Sequence, residues 1–115
     1  MPATASALSD ILQTIDRISS KLAGVPVEEF VASWELCFIA QRSLEIISGA
    51  SRRIPPEMKA QRSEIDWQGI ADIGNVLRHE YHAVSDRLLW KVIGEELPSL
   101  RAAVQEMLQA IRDEG

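Results

Sequence analysis

The segment Gly74-Asn75-Val76-Leu77-Arg78-His79-Glu80-Tyr81-His82 gathers both histidines, an arginine and the only tyrosine of the chain. An imidazole that titrates near neutrality, set beside a permanent cation and an amide, suits phosphoryl chemistry. The histidine can take a proton from an attacking hydroxyl, while the arginine stabilises charge developing on phosphate. At about 100° per residue, with Ile70 at zero, Arg78, His82, Asn75 and His79 fall at about 80°, 120°, 140° and 180°. Ile73, Leu77, Tyr81 and Val84 fall between about 300° and 20°, so the polar four form one arc facing away from the core. Asn75 with His79, Arg78 with His82, and Gly74 with Arg78 are each spaced i, i+4 and can touch. The same arc also reads as an ordinary solvated helix face. Both readings stand on this segment alone.

Other chemistry-bearing residues point less sharply. His79 and His82, flanking Glu80, lack a well-placed third ligand, so no metal site is expected there. Cys37 lies in Trp34-Glu35-Leu36-Cys37-Phe38-Ile39, an apolar setting in which cysteine is usually inert core. Trp34, Trp67 and Trp90 read as core anchors, with a stacking platform for bases as the sharper alternative. There is no Gly-rich phosphate loop, no Ser-His-Asp arrangement and no paired-carboxylate motif. No cofactor is expected.

The elements that must position these residues read as helices throughout. Leu8, Ile11, Leu12, Ile15, Ile18 and Leu22 recur at helical spacing, and Gly24 and Pro26 separate that helix from the next. From Pro26 the series Phe30, Trp34, Cys37, Phe38, Gln41, Leu44, Ile47 predicts one unbroken helix ending near Gly49. Ile54-Pro55-Pro56 predicts an extended link or turn. Asp66 is placed to cap a helix whose face is Ile70, Ile73, Leu77, Tyr81 and Val84, and Ser85 to cap another through Leu88, Leu89, Val92 and Ile93. Pro98 opens a last helix along Leu100, Val104, Met107 or Leu108, and Ile111. No stretch alternates with period two. The expectation is an all-α, up-and-down bundle of four to five helices in one domain spanning residues 1–115, with 1–5 and 113–115 frayed.

Size and charge narrow the function. The chain has 115 residues, one cysteine and a net charge of −5, which argues against coating nucleic acid or anionic membrane by bulk charge. A disulfide framework is excluded. No apolar run approaches the roughly 20 residues that span a bilayer, and the first twenty residues do not read as a signal peptide. The expected compartment is the cytoplasm. Residues 51–91 hold seven bases against six acids, whereas 1–50 hold three against six and 92–115 two against five. A local phosphate site and a set of solvated helix faces both fit that centre.

Phe30 after an acidic pair, Ser43-Leu44-Glu45-Ile46-Ile47, Ile65-Asp66-Trp67-Gln68-Gly69-Ile70, Asn75, His79-Glu80-Tyr81, Leu89-Trp90 and Leu97-Pro98-Ser99-Leu100 occur in order. In that order and spacing the chain resembles the HepT-like branch of the HEPN superfamily, over about residues 8–108. The resemblance implies an all-helical bundle, usually a homodimer, with two motif helices brought together over one RNA-binding cleft. It implies the toxin of a toxin–antitoxin pair, with a small MNT-type nucleotidyltransferase as antitoxin partner. The family's activity is metal-independent RNA cleavage through an arginine, a polar residue and a histidine spaced R-N-x-x-x-H-x-Y. The partner can silence it by transferring AMP to the motif tyrosine.

By position Asn75, His79 and Tyr81 match that motif. Gly74 stands where the motif arginine belongs, and the nearest replacement is Arg78, one turn along and about 40° round the helix. Ser48-Gly49-Ala50 stands where the family pattern has Gly-Glu-Ala. Three functions follow as expectations. One is an endoribonuclease toxin with His79 as base, Asn75 positioning and Arg78 stabilising the phosphorane. Another is a catalytically silent subunit that binds the nucleotidyltransferase or receives AMP on Tyr81. The third is a plain helical dimerisation module.

Overall fold

The computed structural model of the chain describes residues 2–80, 82 and 84–114. Among them are seven helices and no strand: α1 (Pro2–Leu22), α2 (Val27–Ala32), α3 (Trp34–Ser51), α4 (Pro56–Ala60), α5 (Trp67–Glu80), α6 (Asp86–Glu95) and α7 (Leu97–Glu114). The all-α expectation holds. The expected count of four to five rises to seven because one predicted helix is split and a short one is added.

α1 buries Leu8, Ile11, Ile15, Ile18 and Leu22 on one face, where they pack against α3 and α7. Two ion pairs clip its outer edge, Asp10 to Arg53 at 2.8 Å and Asp16 to Arg101 at 2.7 Å. The Arg101 guanidinium, donating to Asp16, holds that carboxyl below its ordinary pKa. Of the expected fraying at 1–5, Met1 lies outside the described residues and 2–5 are helical. Thr4 is buried on the same stripe as Ala7 and Leu8, and that burial carries the helix to Pro2. α7 likewise runs to Glu114.

The predicted single helix from Pro26 to Gly49 breaks at Ser33, which is extended at φ −105° and ψ 105°. Its hydroxyl oxygen accepts from the Leu36 amide at 3.2 Å, so serine ends α2 and caps α3. The break resets the helical phase. Phe30 stays fully buried in α2, its ring 5.1 Å from Trp90, and Cys37, Leu44 and Ile47 face the core from α3. Trp34 and Phe38 swing outward, so the expectation that Trp34 anchors the core is corrected: it is 68% exposed. Trp67 and Trp90 do pack against the core.

α4 begins at Pro56, where the missing N–H costs a helix nothing. The Trp67 indole then donates to the carbonyls of Lys59 and Arg62 at 3.2 and 3.1 Å, tying the α4–α5 link to the head of α5. The Asp66 carboxylate accepts from the Gly69 amide at 2.9 Å, and the Ser85 hydroxyl from Leu88 at 3.0 Å. Both predicted caps are therefore in place. Val84 is buried as expected, but in the bend between α5 and α6 rather than on α5. No helix among the described residues is long and apolar enough to cross a membrane.

Candidate active site

The seating of α5 on α3 decides what the site contains. Gly74 is buried where the two helices cross, and a Cβ built on it would run into the Oγ and Cβ of Ser48. The Ser48 hydroxyl donates to the Ala71 carbonyl at 3.0 Å, and Arg52 Nη2 donates to the same carbonyl at 2.9 Å. Serine on α3 thus occupies the space beside the glycine and bonds the turn before it. No side chain fits at position 74 while Ser48 stays where it is.

Asn75, Arg78 and His79 lie on the exposed side of α5. Arg78 Nη2 donates to Asn75 Oδ1 at 2.6 Å. Its Nη1 lies 3.7 Å from the place a Cβ on Gly74 would occupy. The guanidinium is therefore folded back toward the helix N-terminus, the direction long helical side chains favour. It lies beside the glycine, one turn before its own Cα. The pair forms at i, i+3, not at the i, i+4 spacings anticipated for Asn75–His79 and Arg78–His82. His79 is exposed, and its ring makes no hydrogen bond among the described residues.

His82 does not continue the arc. α5 is described to Glu80 and His82 lies outside it, so the helical phase that placed His82 beside Arg78 does not apply there. It lines a groove with Trp34, Phe38, Gln41 and Asp86, between the start of α3 and the head of α6. Tyr81, the expected AMP acceptor, lies outside the described residues.

The central bases are divided among several partners. Arg53 pairs with Asp10, Arg62 with Glu64 and Glu106 at 2.9 and 2.7 Å, and Arg87 with Glu28 at 3.7 Å. Lys59 sits 6.0 Å over the Trp67 ring, where burial and then the Arg52 charge lower its pKa. Arg78, like Arg52 on the Ala71 carbonyl, bonds a neutral group, the Asn75 amide, which orients the guanidinium without neutralising it. An oriented cation and an exposed imidazole on one side of the same helix are groups that can bind a phosphate and move a proton at it.

Cys37 is the buried core thiol its sequence setting predicts. It donates to the Phe30 carbonyl at 3.3 Å, and burial, reinforced by the Asp86 carboxylate, pushes its pKa up to about 11. Two participants escaped the sequence reading. The sequence marks Ser48 as a departure from the family pattern but not as the neighbour of Gly74, which only the helix crossing reveals. The outward turn of Trp34 was signalled by Ser33, a residue type that caps helices.

Comparison with known proteins is consistent across most of the chain. The family model described as "Ribonuclease HepT-like" matches residues 11–107. The chain is 36% identical over 102 residues to a "Putative RNase" of Caldanaerobacter subterraneus subsp. tengcongensis, covering 89% of this chain and 91% of that one. It is 34% identical over 100 residues to the "Probable ribonuclease HepT" of Thermococcus cleftensis, covering 87% and 91%. A "Putative RNase" of Methanocaldococcus jannaschii is 28% identical over 98 residues, covering 85% and 90%. No solved structure matches the chain.

Proposed function

The chain belongs to the HepT-like ribonuclease family, and from that premise we propose that it is a metal-independent endoribonuclease with Arg78 in place of the motif arginine. The observation that carries this reading is the Arg78–Asn75 bond, which holds a guanidinium beside Gly74 with His79 one residue on. His79 takes the proton from a ribose 2′-OH, and that oxygen attacks the adjacent phosphorus. Arg78 stabilises the charge on the phosphorane as the 5′-oxygen leaves and takes up a proton from water, and His79 then gives its proton back to solvent. Asn75 positions Arg78. The products are a 2′,3′-cyclic phosphate and a 5′-hydroxyl. Neither role calls on a metal ion.

Two copies, each supplying one α5, form the cleft for RNA in this proposal, which also places the protein in the cytoplasm as a toxin held by an MNT-type nucleotidyltransferase. Purified protein is given a mixed RNA in excess chelator, beside His79→Ala and Arg78→Ala. Cleavage by the parent alone supports the reading. Equal cleavage by Arg78→Ala removes Arg78 from the site.

Gly74 itself favours a second reading, because the crossing with Ser48 leaves no room for the motif arginine. In that reading the subunit is catalytically silent and binds the nucleotidyltransferase or accepts AMP on Tyr81. A folded protein that cuts nothing but gains the mass of AMP, and loses that gain in Tyr81→Phe, selects it.

A further inference from the structure

Trp34 and Phe38 stand out from the first turns of α3 with 68% and 57% of their surfaces exposed. Their rings meet edge to face, 5.7 Å apart at 77°. An aromatic side chain ordinarily buries on the order of 150–250 Å², so two left together in water form a patch that a bound molecule covers at a gain. The groove they border is not purely apolar. Gln41 and Asp86 put hydrogen-bonding groups on its wall, and His82 joins them. His82 follows His79 by three residues, which holds their Cα atoms within about 11 Å. The groove therefore adjoins the exposed end of α5.

Flat π faces with an amide and a carboxylate at the edge match one class of ligand, an unpaired nucleobase. The base offers a face to the rings and N–H groups to Asp86. Phosphate is repelled by that carboxylate, so the backbone stays on the Arg78 side and the base alone enters. The outward positions of α3 also include Ile39 and Ile46, 40% and 37% exposed, beside the charged Glu35 and Arg42, so a second copy of this chain is the competing occupant.

We propose that Trp34 and Phe38 form a stacking subsite for an unpaired base next to the Arg78–His79 end of α5, and that the substrate is accordingly single-stranded RNA. The substrate assignment rests on the ribonuclease reading above; the subsite itself can be tested without cleavage. A duplex hides its base faces and cannot use the pair.

Binding is measured on full-length His79→Ala, so that the strand survives. Three probes are compared: a short single-stranded RNA, the same RNA as a duplex, and a strand with abasic positions throughout. The single strand binds tightest, and Trp34→Ala weakens it by about 5- to 100-fold. Trp34→Phe keeps most of the affinity, and the abasic strand is insensitive to Trp34→Ala. Thermal melts by circular dichroism check that each variant is folded. In the cleaving protein, Trp34→Ala raises KM and leaves kcat near the parent value.

Equal binding of the abasic strand or the duplex overturns the subsite, as does unchanged affinity in Trp34→Ala. So does a Trp34→Ala variant that dissociates into smaller assemblies while binding RNA as before, which makes the patch a contact between copies. Single-strand binding that depends on Trp34 without any cleavage keeps the subsite and removes the ribonuclease. Cleavage lost in His79→Ala but with a KM indifferent to Trp34 does the reverse.

Discussion

Ser48 fills the space that a side chain on Gly74 would need. Overpacking costs about 1–3 kcal/mol, whereas alanine gains about 1 kcal/mol over glycine inside a helix. The colliding atoms include the Ser48 Cβ, which cannot move without its backbone, so the clash outweighs the gain. Gly74→Ala is expected to lower the urea midpoint, and the same change in a Ser48→Gly background to raise it. Additive effects in that double-mutant cycle would mean the two residues do not touch.

The same contact bears on activity. Gly74→Arg alone should be poorly folded, while Ser48→Gly/Gly74→Arg gives an arginine room at the family's motif position. The double variant is expected to cleave RNA faster than the parent. Asn75→Ala releases the Arg78 guanidinium and should lower kcat by about 10- to 100-fold, the order expected for an ångström of misplacement. Asn75→Asp keeps an acceptor for Arg78 and should recover part of the loss. If Asn75→Ala cleaves like the parent, the pair does not serve the reaction.

Cys37 gives a pH signature. Its thiol ionises at about 11 in the fold against an ordinary 9.0, so above pH 9 the unfolded chain loses its proton first. The stability this thiol contributes is present below pH 9 and is lost as pH rises toward 11. The stability difference between parent and Cys37→Ala should therefore shift against the parent across that window. Native protein at pH 8 should also resist thiol alkylation until denaturant is added. Rapid alkylation of the native protein would contradict the burial.

Ser33→Ala removes the hydroxyl that accepts from Leu36 and should cost about 1 kcal/mol. Ser33→Asp, which can still cap, should keep most of that stability. An unchanged denaturation midpoint in Ser33→Ala would show that the break between α2 and α3 is held by packing alone.

Ser33 also marks where the sequence could be read and where it could not. The apolar periodicities of α1 and α7, the part of the α5 face from Ile70 to Leu77, and the caps at Asp66 and Ser85 are local patterns and read correctly. The series from Phe30 to Ile47 kept a helical period across Ser33, so the cap was hidden inside a pattern that continued on both sides. Position 82 failed for a related reason: an angle projected from Ile70 holds only while the helix lasts, and His82 lies outside α5, which is described to Glu80. The shared exposed side of Asn75, Arg78 and His79 is legible because all three lie within α5. The Gly74–Ser48 contact joins residues 26 positions apart, and periodicity carries no information at that range.

The shared carbonyl of Ala71 fixes a fulcrum. Ser48 and Arg52 both bond it, and Gly74 abuts Ser48 one turn later, so the middle of α5 is clamped to α3. From Gly74 to His79 the helix advances about 7.5 Å. Over that short arm a tilt of about 10° displaces the imidazole by about 1.3 Å, a misplacement of the size that costs an enzyme about 100-fold. In the proposed ribonuclease, a neighbouring subunit that levers the C-terminal end of α5 by so little would move His79 out of line with its substrate without unfolding a single turn.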